Sequence, residues 1–260
     1  MNLAIEDCLK HVHYLGPLRH RPERSYTWSG ENPDDVGFAG ENAIKAMLSA
    51  SDRKISRGPN KRTKAFGIMI AEWLKDLKLI ESFQVDPIAP NKRDYEVLVR
   101  TMGSQHAVNL PDVGFGVSQV LPVLVQCFYA PAWATIIMEQ PEIHLHPEVQ
   151  ASLADLFVEV IAARENGQDR NTQLIIESHS EHFLRRLQRL IAERKIDRKD
   201  VAAYFCKPEP AGSVLQELDV DVFGHIKNWP ENFFGDELGD LVAMTKKAME
   251  RKASGESANA

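Results

Sequence analysis

ATIIMEQPEIHLHP, residues 134–147, decides how the rest of this chain is read. Thr135, Ile136 and Ile137 are β-branched and lead through Met138 to an abrupt group of acids and amide: Glu139, Gln140 and Glu142. β-Branched side chains favour strands, and an unbroken apolar run of this length fits a strand buried in a parallel sheet. Such a strand delivers its polar residues at its C-terminal end, where open α/β sheets bind ligands. His144 and His146 follow, and Pro147 stands where the first turn of a helix tolerates proline.

Downstream, strand and helix patterns alternate: strand 135–138, helix 147–166, strand 173–177, helix 181–194, then strands 201–206 and 214–220. Alternation of this kind predicts a largely parallel sheet with helical crossovers. Val149, Leu153, Leu156 and Val160 mark the buried face of the first of these helices. Immediately upstream, Val113 to Met138 contains no charged residue, long enough to meet the ~20-residue criterion for a membrane span. Gly114, Gly116, Ser118, Gln119, Gln126, Pro122 and Pro131 interrupt it, so a buried helix over 116–129, a turn at 130–132 and the strand are the better division.

The first third is less regular. Residues 15–19 and 25–40 are rich in turn formers and charges, with a helix predicted over 40–50. Residues 53–64 carry six basic side chains around Gly58-Pro59 and read as a mobile, solvated loop. A phosphate-backbone contact is the competing reading, but no aromatic residue is interleaved for stacking on bases. Helical spacing of Phe66, Met69, Ile70, Trp73, Leu74 and Leu77 predicts a helix over 65–79. Strands at 95–100 and 106–110 flank Met102-Gly103-Ser104, a hairpin signature.

At 260 residues the chain can bury one good core, or one core with a smaller appendage. A net charge of −6 excludes a wholly basic nucleic-acid binder and leaves room for a local patch. Cys8, Cys127 and Cys206 are odd in number, far apart and fit no ligand spacing, which points to a reducing cytoplasm. Acids and histidines near the N-terminus match neither a signal nor a transit peptide. The expected organisation is an irregular α+β segment over 1–110, an α/β lobe over 111–235, and a charged helical tail over 236–260 that ends in disorder from 253.

Three elements carry candidate chemistry. Asp112 to Gln119, DVGFGVSQ, precedes a helix. Gly114 and Gly116 let backbone approach a ligand closely, and a helix start offers free N–H groups and a positive dipole end. The second element is the strand end at Glu139, Gln140 and Glu142. A strand ending in carboxylates beside a phosphate site is the magnesium-holding half of a nucleotide hydrolase. The third is IIESHS, a strand that ends in Glu177, hydroxyls and His179. If these strands are neighbours and parallel, His179 and Glu139 meet at one sheet edge. Each element also has a plain reading. The glycines fit a packing turn and His179 a structural histidine, while His144 and His146, with Glu142 and Glu148, shape a turn more readily than they ligate a metal.

Together, VGFGVSQ, TIIMEQPEIHLHP and LIIESHSEHFLRRL resemble the C-terminal half of the ABC-type branch of bacterial AAA ATPases, soluble relatives of RecF, SMC and OLD-type proteins. The subgroup it resembles has the motifs EQPEIHLHP and ESHSEH and a tail domain of unknown function; LGPLRHRPERSY and WPENFF (229–234) are similar to it as well. The resemblance implies an incomplete P-loop NTPase of α/β class, a parallel sheet with flanking helices. It implies that Gly114, Gly116 and Ser118 form the signature motif facing a partner's ATP. Glu139 takes the place of the magnesium-associated acid, Gln140 that of the catalytic glutamate, and His179 that of the γ-phosphate switch. ATP and Mg2+ are the implied cofactors, with a P-loop-bearing subunit or a second copy, head to tail, as partner; nucleic acid is admitted and a membrane is not.

Two departures shape the expectation. Gln140 is an amide, which orients water but cannot accept its proton, so hydrolysis would lean on Glu142 or proceed slowly. No G-x-x-x-x-G-K-[ST] run occurs in these 260 residues, and the segment starting at Gly58 has proline and the wrong spacing. The leading expectation is therefore an ATPase part whose P-loop is supplied in trans or lost, in a setting of DNA transactions or phage defence. The alternatives are a non-catalytic ATPase-derived scaffold, and a metal-dependent Toprim-like nuclease using Glu139, Glu142, Asp219 and Asp221.

Overall fold

The computed structural model describes residues 9–210, 212–230, 233–234 and 237–253. Cys8 and residues 254–260, most of the segment expected to be disordered, lie outside them. The chain divides into two compact units, Met1–Leu190 and Ile191–Ala260.

In chain order the first unit contains β1 (Val12–Leu15), β2 (Tyr26–Thr27), α1 (Ala43–Ser49), β3 (Lys54–Ser56), β4 (Lys64–Ala65) and α2 (Phe66–Asp76). Then come β5 (Ser82–Pro87), β6 (Asp94–Arg100), β7 (Val108–Asn109), α3 (Phe115–Tyr129), β8 (Thr135–Glu139) and α4 (Pro147–Ala162). The series ends with β9 (Arg164–Glu165), β10 (Gln168–Asp169), β11 (Gln173–Glu177) and α5 (Glu181–Ala192). The functional frame is a parallel sheet in the order β1-β8-β11, so the α/β class with helical crossovers is as expected. β1, absent from the sequence-based assignment, supplies one flank. A second sheet, β2-β6-β5 with β7 on β6, is antiparallel; β5, also not foreseen, is the main partner of β6.

Ile136 and Met138 are fully buried, with Leu174 and Ile176 packed on the same core. The helices α3 and α4 add Val120, Val123, Leu124, Leu153, Leu156 and Val160 to that core, and α1 and α2 add Ile44, Met47, Phe66, Ile70 and Leu74. The long uncharged stretch resolves into buried α3 and the strand β8, and no helix among the described residues is long and apolar enough to cross a membrane. Pro122 inside α3 packs against Gly40, whose φ of +81° is left-handed. A Cβ at Gly40 would lie 2.4 Å from that of Pro122, so glycine is required there on both counts.

Residues 53–64 differ from the mobile loop expected. They form β3 and β4, and acids hold their cations in place: Arg57 meets Asp76 at 2.6 Å and Glu159 at 2.5 Å, and Lys61 meets Glu159 at 2.6 Å. Arg57 also lies 3.9 Å from the centre of the Trp73 ring. Arg53 caps the C-terminus of α3, donating to the carbonyls of Tyr129 (2.6 Å) and Phe128 (3.2 Å) and pairing with Glu165 at 2.8 Å. Arg170, wholly buried, donates to the carbonyls of Cys127 and Ala130 on the same helix end. Two guanidiniums thus satisfy carbonyls that the helix leaves free and oppose its negative dipole end. The helix expected over 147–166 stops at Ala162, because Arg164 to Asp169 turn back as the β9–β10 hairpin.

In the second unit, β12 (Tyr204–Glu209) and β13 (Gly212–Glu217) pair with each other as an antiparallel hairpin. The run of strands expected to continue the parallel sheet is therefore a separate two-stranded element. Phe205, Trp229, Phe233 and Phe234 form an aromatic cluster with ring centres 4.4–6.1 Å apart. The second unit ends in the helix α6 (Glu237–Ala253).

Candidate functional site

Parallel pairing sets Glu177 directly opposite Glu139, at the C-terminal ends of neighbouring strands. The Gln140 N–H donates to the Glu177 carbonyl at 2.9 Å, which closes the ladder one residue beyond Glu139. The Tyr14 hydroxyl on β1 is hydrogen-bonded to the Glu139 carboxylate, and this bond raises the phenol's pKa above its ordinary value. Period-two alternation puts Tyr14, Ile137, Glu139, Ile175 and Glu177 on one face of the sheet. The His179 side chain is 77% exposed, and its Nε2 lies 3.0 Å from a Glu177 carboxylate oxygen. The expected meeting of Glu139 and the His179 segment at one edge is thus what the strands produce.

The turn after β8 is strained at two non-glycine residues, Gln140 (φ +44°) and His144 (φ +62°). Left-handed backbone of this kind costs of order 1–3 kcal/mol and persists where its surroundings fix it. Glu142 supplies one such fixture. Its side chain is buried, and Oε1 accepts the backbone N–H of His179 at 2.8 Å, joining the β8 turn to the end of β11. Gln150 ties the same two turns from α4, donating to the Leu145 carbonyl (2.9 Å) and accepting from the Ser180 hydroxyl (2.7 Å).

Arg19, like Tyr14 and Gln150, is a site residue that sequence reasoning missed. It is 9% exposed, and its Nη2 lies 3.5 Å from the Glu139 carbonyl. Burial pulls its pKa down to about 10, opposed by the charge of Glu142 and by Tyr14. Arg19 Nε and Nη1 and Glu142 Oε2 are buried without a hydrogen-bond partner. The signal was available in VHYLGPLR, a short apolar strand followed by a glycine turn and an arginine, but four residues carry too little periodicity to identify a strand.

The remaining candidates sort differently. Gly114 is the N-cap of α3 with ordinary backbone angles, and a Cβ there would meet nothing within 4 Å, so the approach to this helix start is open. At Gly116 an added Cβ would touch only Leu79, at 3.4 Å. Ser118 is buried and donates its hydroxyl to the Phe115 carbonyl at 2.9 Å, turned inward from the helix start. Arg24 fixes the approach through a two-pronged pair with Asp112 at 2.7 and 3.0 Å. No hydrogen bond or ion pair among the described residues joins this segment to Glu139, Glu142 or His179. Of the possible metal set, His146 caps α4 through Nδ1 (3.3 Å from Glu148 N) and Glu148 pairs with Lys78 at 2.5 Å. Among the described residues no group of three or more His, Cys, Asp or Glu side chains is placed to hold a metal ion. Asp219 pairs with Lys227 at 3.6 Å, and Asp221 accepts the N–H groups of Phe223 and His225, so both carboxylates shape a turn.

Residues 14–185 match the family described as "AAA domain, putative AbiEii toxin, Type IV TA system". The chain belongs to this AAA domain family. Residues 196–244 match a second family, described as a protein of unknown function, DUF3696. No curated protein matches the chain. Among solved structures, this AAA domain chain is similar to one described under ATP-driven dimerization and DNA-stimulated activation of SMC ATPases. That likeness has 15% identity and a TM-score of 0.44 over 59% of this chain and 83% of the other. It is also similar to an Smc head domain with an extended coiled coil bound to the C-terminal domain of ScpA, derived from Pyrococcus furiosus. There the identity is 14% and the TM-score 0.41, over 58% of this chain and 34% of that one.

The site edge of this AAA domain fits magnesium only as one carboxylate beside other oxygens. Mg2+ commonly takes one or two protein carboxylates, with phosphate and water oxygens completing its octahedron. Glu139, partly exposed at the strand end and held by Tyr14, is suited to that part.

Proposed function

We propose that this chain supplies the acidic-strand and switch-histidine side of an ATP–Mg2+ site whose phosphate loop comes from a P-loop-bearing segment or subunit. The observation that carries this reading is the alignment of Glu139 and Glu177 at the ends of adjacent parallel strands, with His179 beside Glu177. Bound magnesium would neutralise phosphate charge there, with Glu139 as its protein ligand and Tyr14 fixing the carboxylate. His179, exposed beside Glu177, faces the same edge and serves as donor to a phosphate oxygen. Glu142 is a positioning residue in this reading, because its buried carboxylate is engaged by the His179 N–H. Gly114 and Gly116 present the open start of α3 to the nucleotide of a partner, which makes a head-to-tail copy the second expected assembly.

The family description, AbiEii toxin of a Type IV TA system, and the motif resemblance set the biological context we infer: phage defence or a DNA transaction in the cytoplasm. The decisive experiment is titration with a fluorescent ATP analogue and Mg2+, together with a phosphate-release assay. Both are run on the chain alone and on the chain joined by a flexible linker to a strand–G-x-x-x-x-G-K-S–helix segment. The chain alone should bind weakly and release no phosphate; the joined protein should bind nucleotide, and Glu139→Gln should remove the magnesium dependence. Ordinary ATP turnover by the chain alone would overturn the proposal.

Gln140 favours a second reading, a non-catalytic scaffold. It stands at the base position without a carboxylate, and the nearby Glu142 is buried and engaged. That reading predicts that Glu139→Ala and His179→Ala leave both partner binding and cellular activity unchanged.

A further inference from the structure

The hairpin of β3 and β4 gathers positive charge that the strand-end site does not use. With α2 it encloses an open hollow of about 410 Å3, lined by Arg57, Lys61, Arg62, Lys64 and Asp76. Four cations face one acid there, in a chain whose net charge is −6.

Three of the four cations are held by groups outside the lining. The two oxygens of Glu159, on α4, take Arg57 Nε at 2.5 Å and Lys61 Nζ at 2.6 Å. Arg57 also lies against the Trp73 ring, and Lys64 Nζ meets a Glu72 oxygen at 2.6 Å. The loop backbone is tied as well. The buried Ser56 hydroxyl is bonded to the Gly58 carbonyl at 2.7 Å and the Lys61 carbonyl at 2.9 Å, and the Lys61 N–H donates to Gly58. Arg62 is the exception. It is exposed, and among the described residues no hydrogen bond or ion pair engages it. An ammonium has three donors, so Lys61 and Lys64 each keep at least one beyond their carboxylate pairs.

We propose that this hollow binds a short polyphosphate chain, with Arg62, Lys61 and Lys64 as its donors. The proposal is independent of the ATP–Mg2+ reading. Phosphate oxygens accept charge-assisted bonds from guanidinium and ammonium groups, and successive phosphates suit several cations set around one hollow. Competition from the resident acids is small, because Lys61–Glu159 and Lys64–Glu72 are partly exposed pairs of a kind that contributes little. Arg57 has a different part: 17% exposed and gripped by two acids and a ring, it braces the wall. No aromatic ring lines the hollow, and Trp73 is 3% exposed beneath Arg57, so a base would find nothing to stack on. A long nucleic-acid strand would also meet the negative charge of the rest of the chain, whereas a short anion stays within the local field. Asp76, 53% exposed beside Arg57, opposes the ligand and sets it toward Arg62 and Lys64. Inorganic tripolyphosphate and the phosphate tail of a free nucleotide share the chemistry this requires.

Calorimetric titration of the full chain with sodium tripolyphosphate, at low salt and without Mg2+, tests the site. Arg62→Ala should weaken binding about tenfold and Arg62→Glu more, with no change in melting temperature because that side chain holds nothing in place. Asp76→Asn should tighten binding about threefold, since Glu159 and Trp73 still hold Arg57. Mg2+-free ATP that binds as tightly, with the same response to Arg62→Ala, identifies the nucleotide tail as the source; much weaker ATP binding identifies the free chain. The proposal is overturned if tripolyphosphate gives no heat, if both Arg62 variants keep the parent's affinity, or if Asp76→Asn weakens binding. Displacement of tripolyphosphate by equimolar sulfate would overturn it too, because the hollow would then select charge alone. Binding of oligothymidylate but not of tripolyphosphate would give the hollow to a nucleic-acid backbone and likewise overturn it.

Discussion

Replacing Glu142 by alanine removes the acceptor of the His179 N–H, a bond of 2.8 Å between two buried or partly buried groups. A hydrogen bond to a charged acceptor contributes about 1.5–3 kcal/mol. Alanine also leaves the buried Arg19 guanidinium without the carboxylate whose field favours its charge. We expect a total loss of about 3 kcal/mol in unfolding free energy. Glu142→Gln keeps an acceptor and loses only the charge. A neutral bond contributes about 0.5–1.5 kcal/mol, so the amide should cost about half as much as alanine. Arg19→Met in the alanine background removes the uncompensated charge and should recover about 1 kcal/mol, a coupling that a double-mutant cycle isolates. Urea titration followed by tryptophan fluorescence reads the parent, both Glu142 variants, Arg19→Met alone and the double variant. If both Glu142 variants lie within about 0.5 kcal/mol of the parent, the carboxylate does not tie these turns together. Its burial would then need another cause, and the role of catalytic base would regain ground.

Arg170→Met should cost about 3–5 kcal/mol, because it strips the Cys127 and Ala130 carbonyls of their donor and leaves Glu165 with Arg53 alone; the same titration measures it, and a change below about 1 kcal/mol would remove the capping role. The pH dependence of stability should show His13. Burial lowers its pKa below the ordinary 6.5, partly offset by Asp35 at 3.9 Å, so the unfolded chain takes up a proton first as pH falls. Stability should therefore drop as pH falls from 6.5 toward the folded-state pKa, and His13→Asn should flatten that slope in thermal melts. An unchanged slope would refute it.

What could be read from sequence followed the strength of local signals. β8 and β11 were legible because β-branched runs ended in polar clusters, and α3 because glycines, prolines and amides divide the long uncharged run. The Glu139–Glu177–His179 edge then followed from the rule for parallel strands. β1 and β5 were not legible. β1 is four residues long, and β5, SFQVDP, mixes polar and apolar residues and ends in proline. The basic segment was misjudged because charge density was taken for solvation. Its acid partners, Asp76 and Glu159, lie 19 and 102 residues away from Arg57, and pairing at that separation leaves no trace in composition. Arg19 was missed for the same reason: its importance depends on burial against a strand 120 residues on.

These placements bear on how much of a nucleotide site one chain must hold. The groups that need fine positioning, Glu139 and the His179 segment, are fixed here from four sides: Tyr14 on the carboxylate, Arg19 on the Glu139 carbonyl, Glu142 on the His179 N–H, and Gln150 across both turns. A phosphate cradle is different in kind. It is made of backbone N–H groups from one loop and one helix start, so it can be positioned as a unit by pairing a single strand. An acidic edge assembled from several distant residues must be built within one chain, whereas a cradle of one loop and one helix start is a single unit.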